Sequence, residues 1–146
     1  MRPSEFLLAM RRTIRLYQTV CEPVCARLGL TQTELDVLGF LGNNPSLDTA
    51  KDIVELRMLP KANVSQAVSS LLRKELLWRR RDGDDRRWAH LGLTPRGEDL
   101  LPEINAARRE MAEALLAGFS REEREQYLSL YLRMADNARA YLKKRG

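Results

Sequence analysis

Residues 49–97 read TAKDIVELRMLPKANVSQAVSSLLRKELLWRRRDGDDRRWAHLGLTPRG, and the order of signals along this stretch decides the fold. Thr49 is a capping residue for a short helix through Leu56, with Ala50, Ile53, Val54 and Leu56 expected to turn inward. The connector Arg57, Met58, Leu59 and Pro60 leads almost at once into a second helix, from about Lys61 to Glu75. Its apolar positions Val64, Ala67, Val68, Leu71 and Leu72 fall on one face at helical spacing. Two helices this close together have the spacing of a helix-turn-helix. Leu77 to Arg81 and Arg87 to Leu93 then read as two strands around the polar turn Asp82, Gly83, Asp84 and Asp85, which makes a hairpin.

On the N-terminal side, Thr31 or Thr33 caps a helix whose Leu35, Val37, Leu38, Phe40 and Leu41 suit an internal core element, ended by Gly42, Asn43, Asn44 and Pro45. Before it, Leu7, Met10, Ile14, Tyr17, Cys21, Val24 and Leu28 step by three and four from Ser4 onward, the seam of a helix packed along another helix. Pro23 predicts a kink or break near Thr19 to Glu22, and Gly29 a C-terminal stop. On the C-terminal side, Thr94 as cap and Pro95 at the first helical position open a long helix with Leu100, Leu101, Ile104, Ala107, Met111, Leu115 and Leu116 on one side. Ser120 and Glu123 form a capping box for a last helix carrying Tyr127, Leu128, Tyr131, Met134, Ala138, Tyr141 and Leu142. Lys143, Lys144 and Arg145 suit its negative end.

The 146 residues fit one domain with helical extensions, and 44% hydrophobic against 31% charged residues is a balance that builds a core. The fold class expected is mainly α with a small β-hairpin. A helix-turn-helix region with its hairpin, over 31–94, is flanked by long helices over 4–29 and 95–146. These end helices carry more apolar stripe than the chain covers by itself, which implies a homodimer closed by an isologous contact. The alternative is that the stripes fold back on the central block of a monomer. No run reaches the roughly 18 to 20 apolar residues of a bilayer span, so no membrane partner and a cytoplasmic location are expected.

A single histidine, His90, and two cysteines, Cys21 and Cys25, leave little for catalysis, and the scattered glycines form no phosphate loop. No enzyme activity, cofactor or metal is expected. The charge distribution is more telling. Between Arg73 and Arg96 stand eight basic residues against four acidic ones, so nearly all of the chain's formal +5 lies in the end of the second helix and the hairpin. Such a concentration suits a surface that meets phosphates, although arginines also protect solvated edge strands. At 100° per residue, Ala62, Ser65, Gln66, Ser69 and Arg73 lie opposite Val64, Val68 and Leu71. A helix entering a major groove needs this short polar surface, with hydrogen-bonding ends such as Asn63, Ser65 and Gln66 for base edges. A merely solvated face has the same composition.

The segments LTQTELDVL (30–38), DTAKDIVELRMLPKANVSQAVSSLLRKELLWRR (48–80) and DGDDRRWAHLGLTPRG (82–97) together resemble the MarR family of winged-helix transcriptional regulators. The most specific part is an acidic-arginine wing tip, a returning strand, and LTPRG opening a long dimerisation helix. The resemblance implies a triangular homodimer, with Lys61, Ala62, Asn63, Ser65, Gln66 and Ser69 facing the major groove and Arg86 or Arg87 entering the minor groove. Lys74, Arg79, Arg80 and the wing arginines would neutralise phosphates. Asp84 or Asp85 either orients the Arg86 guanidinium or simply balances charge in the turn.

Two departures stand out. Glu75 replaces the glycine that commonly follows the recognition helix, so the helix is expected to run on or end differently, and Leu59 and Pro60 replace its capping Ser or Thr, with Pro60 expected at the first helical position. Relatives also bind small aromatic or anionic effectors, or sense oxidants through cysteine. Cys21 and Cys25, one turn apart, read first as small buried hydrophobes. A redox pair acidified near Arg27 and a two-thiolate metal site lacking a third ligand are weaker readings. The function expected is a sequence-specific regulator that binds double-stranded DNA as a homodimer on a palindrome, an effector-responsive repressor. The alternative is a winged-helix module that binds another regulator.

Overall fold

The computed structural model describes residues 1–81 and 89–146. Its order is α1 (Pro3–Leu28), α2 (Gln32–Asn43), α3 (Ala50–Arg57), α4 (Lys61–Arg73), β1 (Leu77–Arg81), β2 (Ala89–Leu93), α5 (Pro95–Leu115) and α6 (Arg121–Arg145). The mainly helical class with one antiparallel hairpin is thus observed. The chain forms two compact units, residues 1–111 and 112–146.

The core of the first unit is built around α2, where Leu35, Val37, Leu38, Phe40 and Leu41 are all buried. Thr31 is the cap, its hydroxyl accepting from Glu34 N at 3.2 Å. Ile53 of α3, Val64, Ala67, Val68 and Leu71 of α4, Leu77 and Leu91 of the hairpin and Ile104 and Ala107 of α5 close around it. Thr49 and Asp52 make a reciprocal capping box for α3. Leu56, expected inward, is half exposed.

In the hairpin, Trp78 pairs with Gly92 and Arg80 with His90. Its root is tied to the start of α3 through Asp48, whose carbonyl accepts from Leu91 N at 2.8 Å and whose carboxylate meets His90 Nδ1 at 2.8 Å.

Pro23 does not break α1, which runs without interruption from Pro3 to Leu28. Thr19, whose carbonyl loses its amide partner at Pro23, turns its own hydroxyl to Arg15 O at 2.8 Å. The stripe along α1 changes character midway. Cys21 and Val24 are buried, whereas Leu7, Met10 and Ile14 are exposed.

Glu75 settles the end of α4. The helix stops at Arg73, and Glu75 itself takes the left-handed conformation at φ 60°. Leu76 N reaches back to Leu71 O and Glu75 N to Leu72 O, the paired bonds that normally accompany glycine. A side chain in this region costs about 1–2 kcal/mol, and the Arg96 contact of Glu75 at 3.5 Å is exposed and adds little. Glu75→Gly is therefore expected to raise stability by about 0.5–1 kcal/mol after allowing for the greater freedom of glycine in the unfolded chain, measured by urea unfolding.

The second unit is organised by its own turn. Gly118 has φ 81°, Ser120 and Glu123 form the expected capping box, and Arg124 reaches back to Leu116 O at 3.1 Å. Phe119, Tyr127 and Tyr131 form a chain of ring contacts at 6.2 and 5.7 Å. Among the described residues, no residue of α6 is buried.

Candidate nucleic-acid interface

Three residues, Met58 to Pro60, separate α3 from α4. Met58 is left-handed at φ 51°, and Pro60 stands at the N-cap of α4 rather than inside its first turn. Val64 N bonds the Pro60 carbonyl at 3.1 Å, so the helix closes its first backbone bond without a side-chain cap. The face opposite the buried residues is open. Lys61, Ala62, Asn63, Ser65, Gln66, Ser69 and Arg73 are all exposed, as helical periodicity placed Ala62, Ser65, Gln66, Ser69 and Arg73.

Asn63, Ser65, Gln66, Ser69 and Arg73 line a groove of about 650 Å³ that also takes in Thr31, Thr33 and Glu34 at the start of α2. Thr31 and Thr33 were legible only as rival caps. Their place beside α4 depends on how the two helices cross, which neither segment encodes alone. The groove wall away from the core is therefore short, polar and free of acidic side chains except Glu34.

The expected phosphate contacts divide. Arg79 and Arg80 are exposed on β1. Strand alternation sends them to opposite faces of the hairpin, Arg80 on the side of Trp78 and His90. Lys74 is exposed and also engaged within the protein, its ammonium donating to Glu34 Oε2 at 2.7 Å and Gly29 O at 2.8 Å. Glu34 is buried, so its carboxylate needs this cation, and Lys74 ties the end of α4 to the junction of α1 and α2. Asp84, Asp85, Arg86 and Arg87 lie outside the described residues.

Cys21 is fully buried, and burial, with Cys21, Asp36 and Glu34 adding to it, pushes the Cys25 thiol up. This is the reverse of the acidified thiol that a redox pair requires. Arg27, the expected acidifying group, pairs with Glu103 at 3.3 Å. Among the described residues no group of three His, Cys, Asp or Glu is placed to hold a metal ion, and no helix is long and apolar enough to cross a membrane.

A polar cluster that periodicity did not reveal lies behind the interface. Asp36 is buried in α2, where its Oδ1 accepts from Tyr17 Oη at 2.6 Å and Gln32 Nε2 at 3.2 Å and pairs with Arg57 Nη2 at 3.1 Å. Burial first, and then the Asp36 carboxylate, push the Tyr17 phenol far above its ordinary range, so it remains a donor. The only sequence signal was a single carboxylate inside the apolar run LDVLGFL.

Residues 28–87, which take in α2, α3, α4 and β1, match the MarR family. This segment belongs to the MarR family. Solved MarR-family proteins of Silicibacter pomeroyi and Methanosarcina mazei are transcriptional regulators. Solved structures extend the likeness in fold over nearly the whole chain. The transcriptional regulator SlyA is 18% identical with a TM-score of 0.85, over 97% of this chain and 99% of that one. MepR of S. aureus, solved as a DNA complex, is 24% identical with a TM-score of 0.76, over 94% and 99%. BpsR of Bordetella bronchiseptica, whose DNA binding is regulated by 6-hydroxynicotinic acid, is 22% identical with a TM-score of 0.74, over 90% and 98%. Over nearly its whole length this chain thus shares the fold of these solved structures.

Proposed function

We propose that this MarR-family chain is a sequence-specific regulator that binds double-stranded DNA as a homodimer, with residues 31–94 as the DNA-binding region and the helices of 4–29 and 95–146 as the pairing elements. The observation that carries the reading is the outward face of α4, where Asn63, Ser65, Gln66 and Ser69 are exposed in a polar groove. Lys61, Ala62 and Arg73 extend that face, and Arg79 and Arg80 meet phosphates from the two sides of the hairpin. The family resemblance adds Arg86 and Arg87 as minor-groove residues, with Asp84 and Asp85 next to them in sequence. Phosphate contacts supply affinity without sequence information, and the helix adds discrimination.

The exposed Leu128, Tyr131, Leu132 and Met134 of α6, and Leu7, Met10 and Ile14 of α1, support pairing, because such stripes need cover. Two copies related by a two-fold axis read a palindromic operator. The DNA complex of MepR supports the partner, and control of BpsR by a small acid supports an effector-responsive repressor.

Selection of bound duplexes from a random pool, with the mass of the complex measured on the winners, tests the reading. Two inverted half-sites held by two chains are the expected result. Binding with no sequence preference at physiological salt points instead to an acidic protein partner, and a single chain on the duplex overturns the pairing.

A further inference from the structure

Asp36 gathers three helices on one oxygen: Tyr17 from α1, Gln32 from its own helix α2, and Arg57 from the last residue of α3 all meet its Oδ1. Its side chain is 7% exposed, so the charge is held almost out of water. A buried ion pair of this sort is weak support for stability, since apolar residues of similar volume serve as well or better. What it provides is a defined geometry, because each of its bonds fixes a direction and distance.

Two further observations say which geometry. Met58, directly after Arg57, is held at φ 51°, a conformation that a non-glycine residue keeps only where its surroundings determine it. That residue opens the connector into α4. Tyr17 stands on the α1 stripe where burial begins, with Ile14, Met10 and Leu7 exposed on one side and Cys21 and Val24 buried on the other. The carboxylate therefore joins the helix with the uncovered stripe to the turn that launches the groove-facing helix.

We infer that Asp36 is a positioning residue for DNA recognition, tying α1 to the α3–α4 connector so that pairing through α1 fixes the pose of α4. The inference rests on the DNA-binding reading above. Asp36 touches no DNA itself. It acts through Arg57 on one side and answers Tyr17 on the other.

The test uses the full chain as Tyr17→Phe, Arg57→Gln and the double variant, with Asp36→Asn as a conservative companion. Each is titrated against the selected duplex and against duplexes whose half-site spacing is altered by one base pair, and unfolding in urea is followed in parallel. Each single change is expected to weaken the preferred duplex about fivefold or more and to blur the spacing preference. The double variant should lose little beyond the worse single one, because both act through the same oxygen. Arg57→Lys should restore part of the preference. Unchanged spacing preference with only lower urea midpoints, or losses that simply add, would overturn the inference and leave a structural ion pair. If the unmodified chain prefers no duplex, the parent reading fails first and this one with it.

Discussion

Gly97→Ala is expected to destabilise the chain by about 3 kcal/mol, near the upper end for overpacking a rigid site. Gly97 is buried in the first turn of α5, where its amide donates to the Thr94 hydroxyl at 3.2 Å. A Cβ built there would run into the Leu76 carbonyl oxygen, with the Leu93 Cβ also at 3.3 Å. The obstacle is backbone, and that same oxygen already accepts from Thr94 N at 3.1 Å, so it has no cheap way to yield. The glycine of LTPRG thus allows a helix to rest directly on the chain that leaves α4. Thermal unfolding should show a midpoint lower by about 10 °C. Gly118→Ala is the comparison: its φ of 81° is unfavourable but open space surrounds it, so a cost of about 1–2 kcal/mol is expected. Equal costs at the two positions would refute the steric account.

The second large effect concerns binding. Gln66→Glu should weaken the selected duplex about 100-fold, within the range for losing a base-edge contact and adding a charge of the wrong sign. Gln66 is exposed, so urea unfolding should change by no more than about 0.5 kcal/mol. A random duplex should lose less, because most of its affinity comes from phosphates. Arg79→Ala with Arg80→Ala should behave oppositely, weakening all duplexes alike and reducing the salt slope by about 2. A Gln66→Glu variant that loses selected and random duplexes equally would remove α4 from the base-reading role.

Much of this fold was legible along the chain, and the exceptions share a cause. Helical spacing placed Val64, Ala67, Val68 and Leu71 inward and Ser65, Gln66 and Ser69 outward, because each face of one helix is set by its own residues. Ser120 with Glu123, Thr94 with Pro95, and Gly29 marked their helix ends correctly for the same local reason. Lys74 shows what local pattern leaves out: an exposed cation, it also bonds Glu34 and the Gly29 carbonyl, which lie some forty residues earlier and come near only after folding. Thr33 beside α4, the Asp36 cluster, and the accommodation of Pro23 and Glu75 likewise depend on tertiary neighbours or on backbone strain that propensity alone does not weigh. Leu56 shows the limit within one helix: eight residues give too few turns for a period to define its face.

Asp48 holds the hairpin root with both its carbonyl and its carboxylate, immediately before the cap of α3. Two attachments at one residue remove the freedom of a single pivot, so the strands and the third helix must turn together as a lever. On the proposed function, a torque arriving at either would move α4 and the strand arginines Arg79 and Arg80 in concert, never one at a time.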